Sequence, residues 1–328
     1  MPAPHASPVA IPPVSRRGTP ERAILYFLVI ATILIGLLPL PTASAEPAAV
    51  TARALGMGNA YTAVAEGFHA LYWNPAGLAV PANEISAGLG GLGLARVKDV
   101  LNRFDRGEAQ VDDASLESFA GIRIGQVALG AALQVETQPG GSDPADLRWL
   151  DWWAIGAGHE IEPPPGWERV AVGLTLRRLT DREYLAAAQT IETRAQGEIL
   201  DLGILAEPTP ELRVGAILRR VWSSLERPEE LDEAESRLGI AYRPKNWRLA
   251  LRADLSTEGT LSYGGEWPAN EQGSVTLRVG QQLEPGQSIM TTAGAGFHLG
   301  AAQIDLAAGF TRLDIESARF RAELSIRF

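Results

Sequence analysis

The residues from which chemistry could be built are few, and their spacing argues against most of it. Gly88-Leu89-Gly90-Gly91-Leu92-Gly93 spells the G-x-G-x-x-G of a dinucleotide-binding turn. That turn works only between a buried strand and a helix whose N-terminus meets the pyrophosphate. Here the glycines alternate with Ile85, Ala87 and Leu89, and no helical pattern follows, so small residues within a strand are the better reading. Gly56-x-Gly58 lacks a third glycine at the required place. Past the first 45 residues the histidines are His69, His159 and His298, without metal-ligand spacing and without a His-Glu-x-x-His. Ser288 and His298 could pair as nucleophile and base, but the spacing supplies no third group to orient them. The chain has no cysteine, which removes thiolate metal sites, disulfide frameworks and an N-terminal lipidated cysteine, and which suits an oxidising compartment. The acidic residues Asp112, Asp113, Glu226, Glu229, Glu230, Asp232, Glu233 and Glu235 read as loop solvation, with divalent-cation binding as the alternative. No catalytic residue, metal ligand or cofactor site is assigned, and the chain is not read as an enzyme.

The elements that would position any site come from composition and periodicity. The chain has 328 residues, 46% apolar and 21% charged, with 34 glycines, a profile that favours many short strands and tight turns. A net charge of −10 argues against a nucleic-acid partner, which needs a basic surface. Arg16, Arg17 and Arg22 precede an apolar run from Ala23 to Leu38, then Pro39, Pro41 and the small-x-small triplet Ala43-Ser44-Ala45. This predicts a signal peptide over 1–45, cleaved after Ala45. The alternative, an uncleaved anchor, needs roughly 20 apolar residues, more than this run supplies. No later run is long enough for a spanning helix.

From about residue 84 the chain alternates. Phe320, Ala322, Leu324, Ile326 and Phe328 share one face; Arg319, Arg321, Glu323, Ser325 and Arg327 share the other. Segment 302–311 sets Ala302, Ile304, Leu306, Ala308 and Phe310 against Gln303 and Asp305. Segment 247–255 sets Trp247, Leu249, Leu251, Ala253 and Leu255 against Arg248, Arg252 and Asp254. Val275, Leu277 and Val279 oppose Thr276 and Arg278, and Val170, Val172, Leu174 and Leu176 oppose Arg169, Thr175 and Arg177. Alternation alone fits a soluble sandwich or a membrane barrel. The export signal, segments near the length of a tilted spanning strand, and a last strand ending at Phe328 favour the barrel. Trp149, Trp152, Trp153, Trp167, Trp222, Trp247, Trp267, Tyr242 and Tyr263 lie near strand ends, as interfacial girdles require. An even number of strands, in the range of about 12 to 14, is expected. Longer connections at 97–116, 136–147, 160–167, 178–189 and 223–235 are expected to face outward. Arg252, Asp254, Arg278, Asp305, Arg319, Arg321 and Glu323 are candidates to line the lumen, since an arginine facing mid-bilayer costs about 2–4 kcal/mol.

Residues 52–79, ARALGMGNAYTAVAEGFHALYWNPAGLA, do not alternate. Ala60, Ala63, Val64, Gly67, Ala70 and Leu71 have weak helical spacing, which predicts a compact helical hairpin able to lie inside a barrel and plug it. Asn74-Pro75 is a turn signal. With Arg53, Gly56, Met57, Gly58, Ala60, Ala63, Ala70, Leu71, Trp73, Asn74, Pro75, Ala76, Gly77 and Leu78, the stretch resembles the N-terminal signature of FadL-type and PorV/PorQ-type outer-membrane proteins. The LALRADL, YGGEW, VTLRVG and IDLAAGF segments of the C-terminal third extend the resemblance. It implies an all-β fold, a transmembrane antiparallel β-barrel of about 14 strands with a small N-terminal helical plug. The division would be 1–45 signal peptide, 46–82 plug segment, 83–328 barrel. The plug motif would comprise Gly56, Gly58, Trp73, Asn74, Pro75, Ala76 and Gly77. Leu324, Ile326 and Phe328 match the terminal signal read by the barrel-assembly machinery. FadL-type members take up hydrophobic molecules, whereas PorV-type members serve protein secretion through a protein partner. The expected function is passive transport of hydrophobic or small molecules across the bacterial outer membrane. A secretion component and a purely structural barrel are the alternatives. The expected partners are outer-membrane lipid, the assembly machinery and a hydrophobic small-molecule ligand. No cofactor and no nucleic acid are expected.

Overall fold

A computed structural model of the chain describes residues 51–92, 115–137, 147–185, 190–226, 236–245, 247–311 and 318–328. The signal peptide expected over 1–45, the start of the segment 46–82, much of the loops expected at 97–116, 136–147 and 223–235, and 186–189 of the loop expected at 178–189 lie outside these residues.

Fourteen strands form one closed antiparallel sheet. They are β1 (Ala82–Leu92), β2 (Ser115–Gly125), β3 (Val127–Thr137), β4 (Leu147–Ile161), β5 (Arg169–Leu185), β6 (Thr190–Thr209) and β7 (Leu212–Ser223). The second half comprises β8 (Arg237–Tyr242), β9 (Ala250–Ser256), β10 (Leu261–Pro268), β11 (Val275–Leu283), β12 (Met290–Leu299), β13 (Ala302–Thr311) and β14 (Arg319–Arg327). Each strand pairs with its sequence neighbours, and β1 closes on β14 from Glu84↔Arg327 to Leu92↔Arg319. Closure leaves no unpaired edge.

The alternation has an inverted sense. On β14 the buried residues are Arg321, Glu323 and Ser325, while Leu324 and Ile326 are exposed. On β11 Thr276, Arg278 and Gln282 are buried while Val279 is half exposed. Leu89, Ile124, Leu174, Leu251, Leu255 and Leu306 all point outward and exposed. A sandwich would put these apolar residues in its core, so that reading is excluded. An exterior of leucine around an interior of arginine and glutamate calls for a hydrocarbon solvent outside.

Three sequence expectations need correction. The strand expected over 247–255 is β9, Ala250–Ser256; Trp247 falls in the preceding turn, where its N–H donates to the Pro244 carbonyl (3.1 Å). The connection at 160–167 does not share an end with the other long connections. It joins β4 to β5, at the end that holds Ala82 and Arg327, with the tight reversals at Gln126, Pro210–Glu211 and Gly300–Ala301. Antiparallel strands alternate their connections between ends, so odd-to-even and even-to-odd connections cannot share one. Finally, the stretch expected to loop at 178–189 is β5 through Leu185, part of a tall wall in which β4, β5 and β6 run 15, 17 and 20 residues.

Candidate functional site

Residues 51–80 are almost wholly buried against the inward faces of the strands. They do not form the expected hairpin of helices. A single turn, Ala52–Leu55, is capped by Thr51, whose hydroxyl accepts from the Arg53 N–H (3.1 Å). Gly58 and Asn59 then take positive φ, 65° and 66°, which stops propagation. Gly67 (φ 63°) opens a 3-10 turn, Gly67–His69, followed by one helical turn, Ala70–Trp73. Asn74 is extended, as a residue before proline should be, and starts a second 3-10 turn, Pro75–Ala79. Its side chain closes three bonds: Oδ1 accepts from Ala76 N–H (3.1 Å), and Nδ2 donates to the carbonyls of Thr62 (3.1 Å) and Ile204 on β6 (3.0 Å).

Inward-facing glycines shape the wall to this segment. A Cβ at Gly158, Gly173 or Gly203, on β4, β5 and β6, would collide with the backbone or side chains of Asn74 to Ala79. A Cβ at Gly280 or Gly264 would strike Met57, and one at Gly121 or Gly130 would enter the Phe68 ring.

Charged inward residues fasten the rest. Glu266 on β10 accepts from Arg53 (3.1 Å, at both oxygens), Arg252 (2.8 Å) and Arg278 (2.7 Å), and Arg278 also reaches Asp305. Arg53 turns back to pair with Glu66. Asp254 accepts from the N–H groups of Tyr61 (2.9 Å) and Thr62 (2.8 Å). Glu323 accepts from the Thr51 hydroxyl (2.7 Å) and Ala52 N–H (3.2 Å), and faces His69 Nε2. Arg123 on β2 donates to the carbonyls of Leu78 and Val80, and Gln126 to that of Ala79 (2.7 Å). Nearer the opposite end, Asp201 binds Arg177 (2.9 Å) and Arg219 (3.3 Å), and Arg219 lies 4.3 Å from the Tyr72 ring centre.

Beside the segment lies a small apolar chamber of about 20 Å³, room for one water molecule. Phe68 stacks on Phe119 (6.0 Å between centres, 17° between planes) and Tyr72 on Trp152 (6.4 Å, 20°). Phe119, Ala132, Leu150 and Trp152 line it, with Glu117, Gln134 and Arg321 as its polar edge. Arg321 donates to Glu117 there (2.6 Å). On the outer surface a groove of about 790 Å³ runs over the small residues Ala87, Ala120, Ala131 and Ala322. Groove and chamber share Leu89, Ser118, Phe119, Ala132 and Leu133. Only the β1–β2–β3 wall separates them, and its register is unbroken from Leu89↔Ser118 to Gly91↔Leu116.

Of the residues singled out from sequence, Arg252, Asp254, Arg278, Asp305, Arg321 and Glu323 are inward and buried. Arg319 shares their parity but is exposed at the start of β14, where the strand leaves the packed interior. Trp73, Asn74, Pro75, Ala76 and Gly77 are buried together at the β4–β6 wall, whereas Gly56 and Gly58 sit against β11 and β12. Leu324 and Ile326 point outward; Phe328 follows β14, exposed, its N–H donating to the Asn83 carbonyl (3.2 Å). The G-x-G-x-x-G stretch lies in β1 through Leu92, with Gly88 against Phe119. Sequence reasoning missed Glu266 and Arg123, although each has inward parity; Glu266 stands directly opposite Arg278 in register. It also missed the glycines as seats. Their signal was present, since Gly173 and Gly203 fall on the polar face of their strands. Among the described residues no cluster of three or more His, Asp or Glu is arranged to hold a metal ion.

No protein-family description and no curated protein matches the chain by sequence. Solved structures do resemble it. The toluene transporter TbuX of Ralstonia pickettii superposes with a TM-score of 0.53 at 15% identity, over 84% of this chain and 96% of that one. A Pseudomonas aeruginosa FadL homologue gives 0.54 at 11% identity, over 87% and 100%. The toluene transporter TodX of P. putida gives 0.50 at 13% identity, over 88% and 99%. At such identities the likeness establishes a shared barrel fold. The PorV/PorQ side of the resemblance has no counterpart among these structures.

Proposed function

We propose that this chain sits in a bacterial outer membrane and passes hydrophobic small molecules through its barrel, with residues 51–80 as the plug that gates passage. The observation that carries the reading is the apolar chamber at Phe119, Ala132, Leu150 and Trp152. Its wall residues Phe119 and Trp152 stack on Phe68 and Tyr72 of the plug, and on the other side it backs onto the outer groove. At about 20 Å³ the space has room for a single water molecule; an apolar molecule enters only if Phe119 and Trp152 swing aside, and then gains by leaving water with few polar contacts. The barrels of similar fold are described as toluene transporters and a FadL homologue, which supports an apolar rather than an ionic cargo. With the β1–β2 ladder intact, lateral exit from chamber to groove requires Phe119 and the wall around it to shift.

Ala132→Phe tests this by filling the chamber from its wall. Uptake of toluene or a fluorescent apolar probe into vesicles holding the variant should fall severalfold, while heat-modifiable migration, the mark of a folded barrel, is kept. A folded variant that transports as well as the unaltered protein would remove the chamber from the route.

A further inference from the structure

The plug's contacts reach strands all round the barrel, and one set of them falls where the barrel closes on itself. β1 and β14 are the one pair of neighbouring strands that are not consecutive in the chain. Their pairing must therefore close a ring whose partners, such as Ser86 and Ser325, are 239 residues apart. Sequence-distant closure has the largest entropic cost in the sheet, and no hairpin turn sets its register. At this seam the N-terminal segment touches both strands. Glu84 of β1 accepts from the Phe68 N–H (3.3 Å). Glu323 of β14 accepts from Thr51 and Ala52 and faces His69. Beneath them the Ser86 and Ser325 hydroxyls meet across the seam (2.7 Å), each also within hydrogen-bond reach of one of the two glutamates, so that two hydroxyl protons serve three contacts. Thr51, His69, Glu84, Ser86, Glu323 and Ser325 are all buried. The segment's other hydrogen bonds run round the barrel: to Arg123 on β2, the Ile204 carbonyl on β6, Asp254 on β9, Glu266 on β10 and Thr292 on β12.

We infer that residues 51–80 act as an internal strut that closes the barrel, holding the β1–β14 seam from within. The segment rests on β6, β9 and β12, runs directly into β1 at Ala82, and presents Thr51 and His69 to the carboxylate of the last strand. Its seating on the earlier strands thus turns a distant encounter into a local one. This task does not depend on transport, and a plug that only gated passage would have no need to grip the seam.

The test uses the full-length chain carrying Thr51→Val, His69→Leu and Glu323→Gln together. That set removes the Thr51 and His69 side-chain bonds to β14, keeps the Phe68–Glu84 bond to β1, and leaves no buried charge without a partner. A second version adds Ala87→Cys and Leu324→Cys, Cα partners on the outer side of the seam. With no native cysteine to compete, their disulfide closes the seam covalently. Hydrogen exchange is followed at β1 and β14, with β10 and β11 as internal reference. The expected result is exchange at β1 and β14 raised on the order of tenfold or more over the reference, and restored by the disulfide. If the triple variant fails to accumulate as a folded barrel, its recovery with the disulfide is the expected result. Seam exchange no faster than in the reference strands, or a defect that persists after the disulfide has formed, overturns the strut.

Discussion

At the scale of single residues, the interior is governed by how charges are matched away from water. Glu266 collects three arginines, and Asp201 two, because a carboxylate can accept several charge-assisted hydrogen bonds at once. Removing one partner of such a buried cluster leaves the other uncompensated, which costs more than the cluster contributes when complete. His69 gives a measurable case. Burial disfavours its charged form, but the Glu323 carboxylate at Nε2, with Glu84 and Asp305 nearby, outweighs burial and holds its pKa above the ordinary value of 6.5. A raised pKa means that the folded state binds the proton more tightly than the unfolded state. The stabilisation is therefore complete below pH 6.5 and lost as pH rises through the folded value. Urea denaturation of the detergent-solubilised barrel should show stability declining on the alkaline side of 6.5. His69→Leu should flatten that slope, and an unchanged slope would assign the dependence to another group.

At the scale of elements, strands were far more legible than the segment between them. Period-two patterning located β11, β13 and β14 closely, because each must satisfy hydrocarbon on one side and a polar interior on the other. The start of β9 was misplaced because Trp247 continues the apolar parity into a turn, and an interfacial tryptophan satisfies parity as well as a strand residue does. The helical hairpin was misread for a different reason. Ala63 is small because the strand glycines Gly215 and Gly239 press against it, and Ala70 because Gly77 of the same segment does, not because they lie on one helical face. Small residues carry the same signature in both situations. The fit makes a sharp prediction. Gly173→Ala places a methyl where the Pro75 carbonyl lies, an overpacking cost of about 1–3 kcal/mol. Limited proteolysis of the folded variant should cut within 51–80 faster than in the unaltered chain, while the strands stay protected. Equal cutting rates would show that the wall does not seat the segment as described.

At the scale of the whole molecule, one inversion organises everything: leucine outside, arginine inside, with a segment of the chain taking the place that a core has elsewhere. The barrel is also lopsided. Its wall is 15 to 20 residues tall at β4–β6 and only 6 to 8 at β8–β10, the extra length of β5 and β6 carrying charged residues such as Asp181, Arg182, Glu192 and Arg194. The chemistry of an apolar cargo was not legible in any single motif. The chamber is assembled from Phe119, Ala132, Leu150 and Trp152, drawn from three strands whose spacing in sequence carries no common signal. Everything rests on the outward face meeting acyl chains, and fluorescence quenching measures that contact. Single-tryptophan variants retaining either Trp153, which is 42% exposed on the outer wall, or Trp73, which is wholly buried, would be placed in vesicles of acyl-brominated lipid. Strong quenching of Trp153 with little of Trp73 is the predicted result. An unquenched Trp153, or a Trp73 quenched to the same extent, would contradict it.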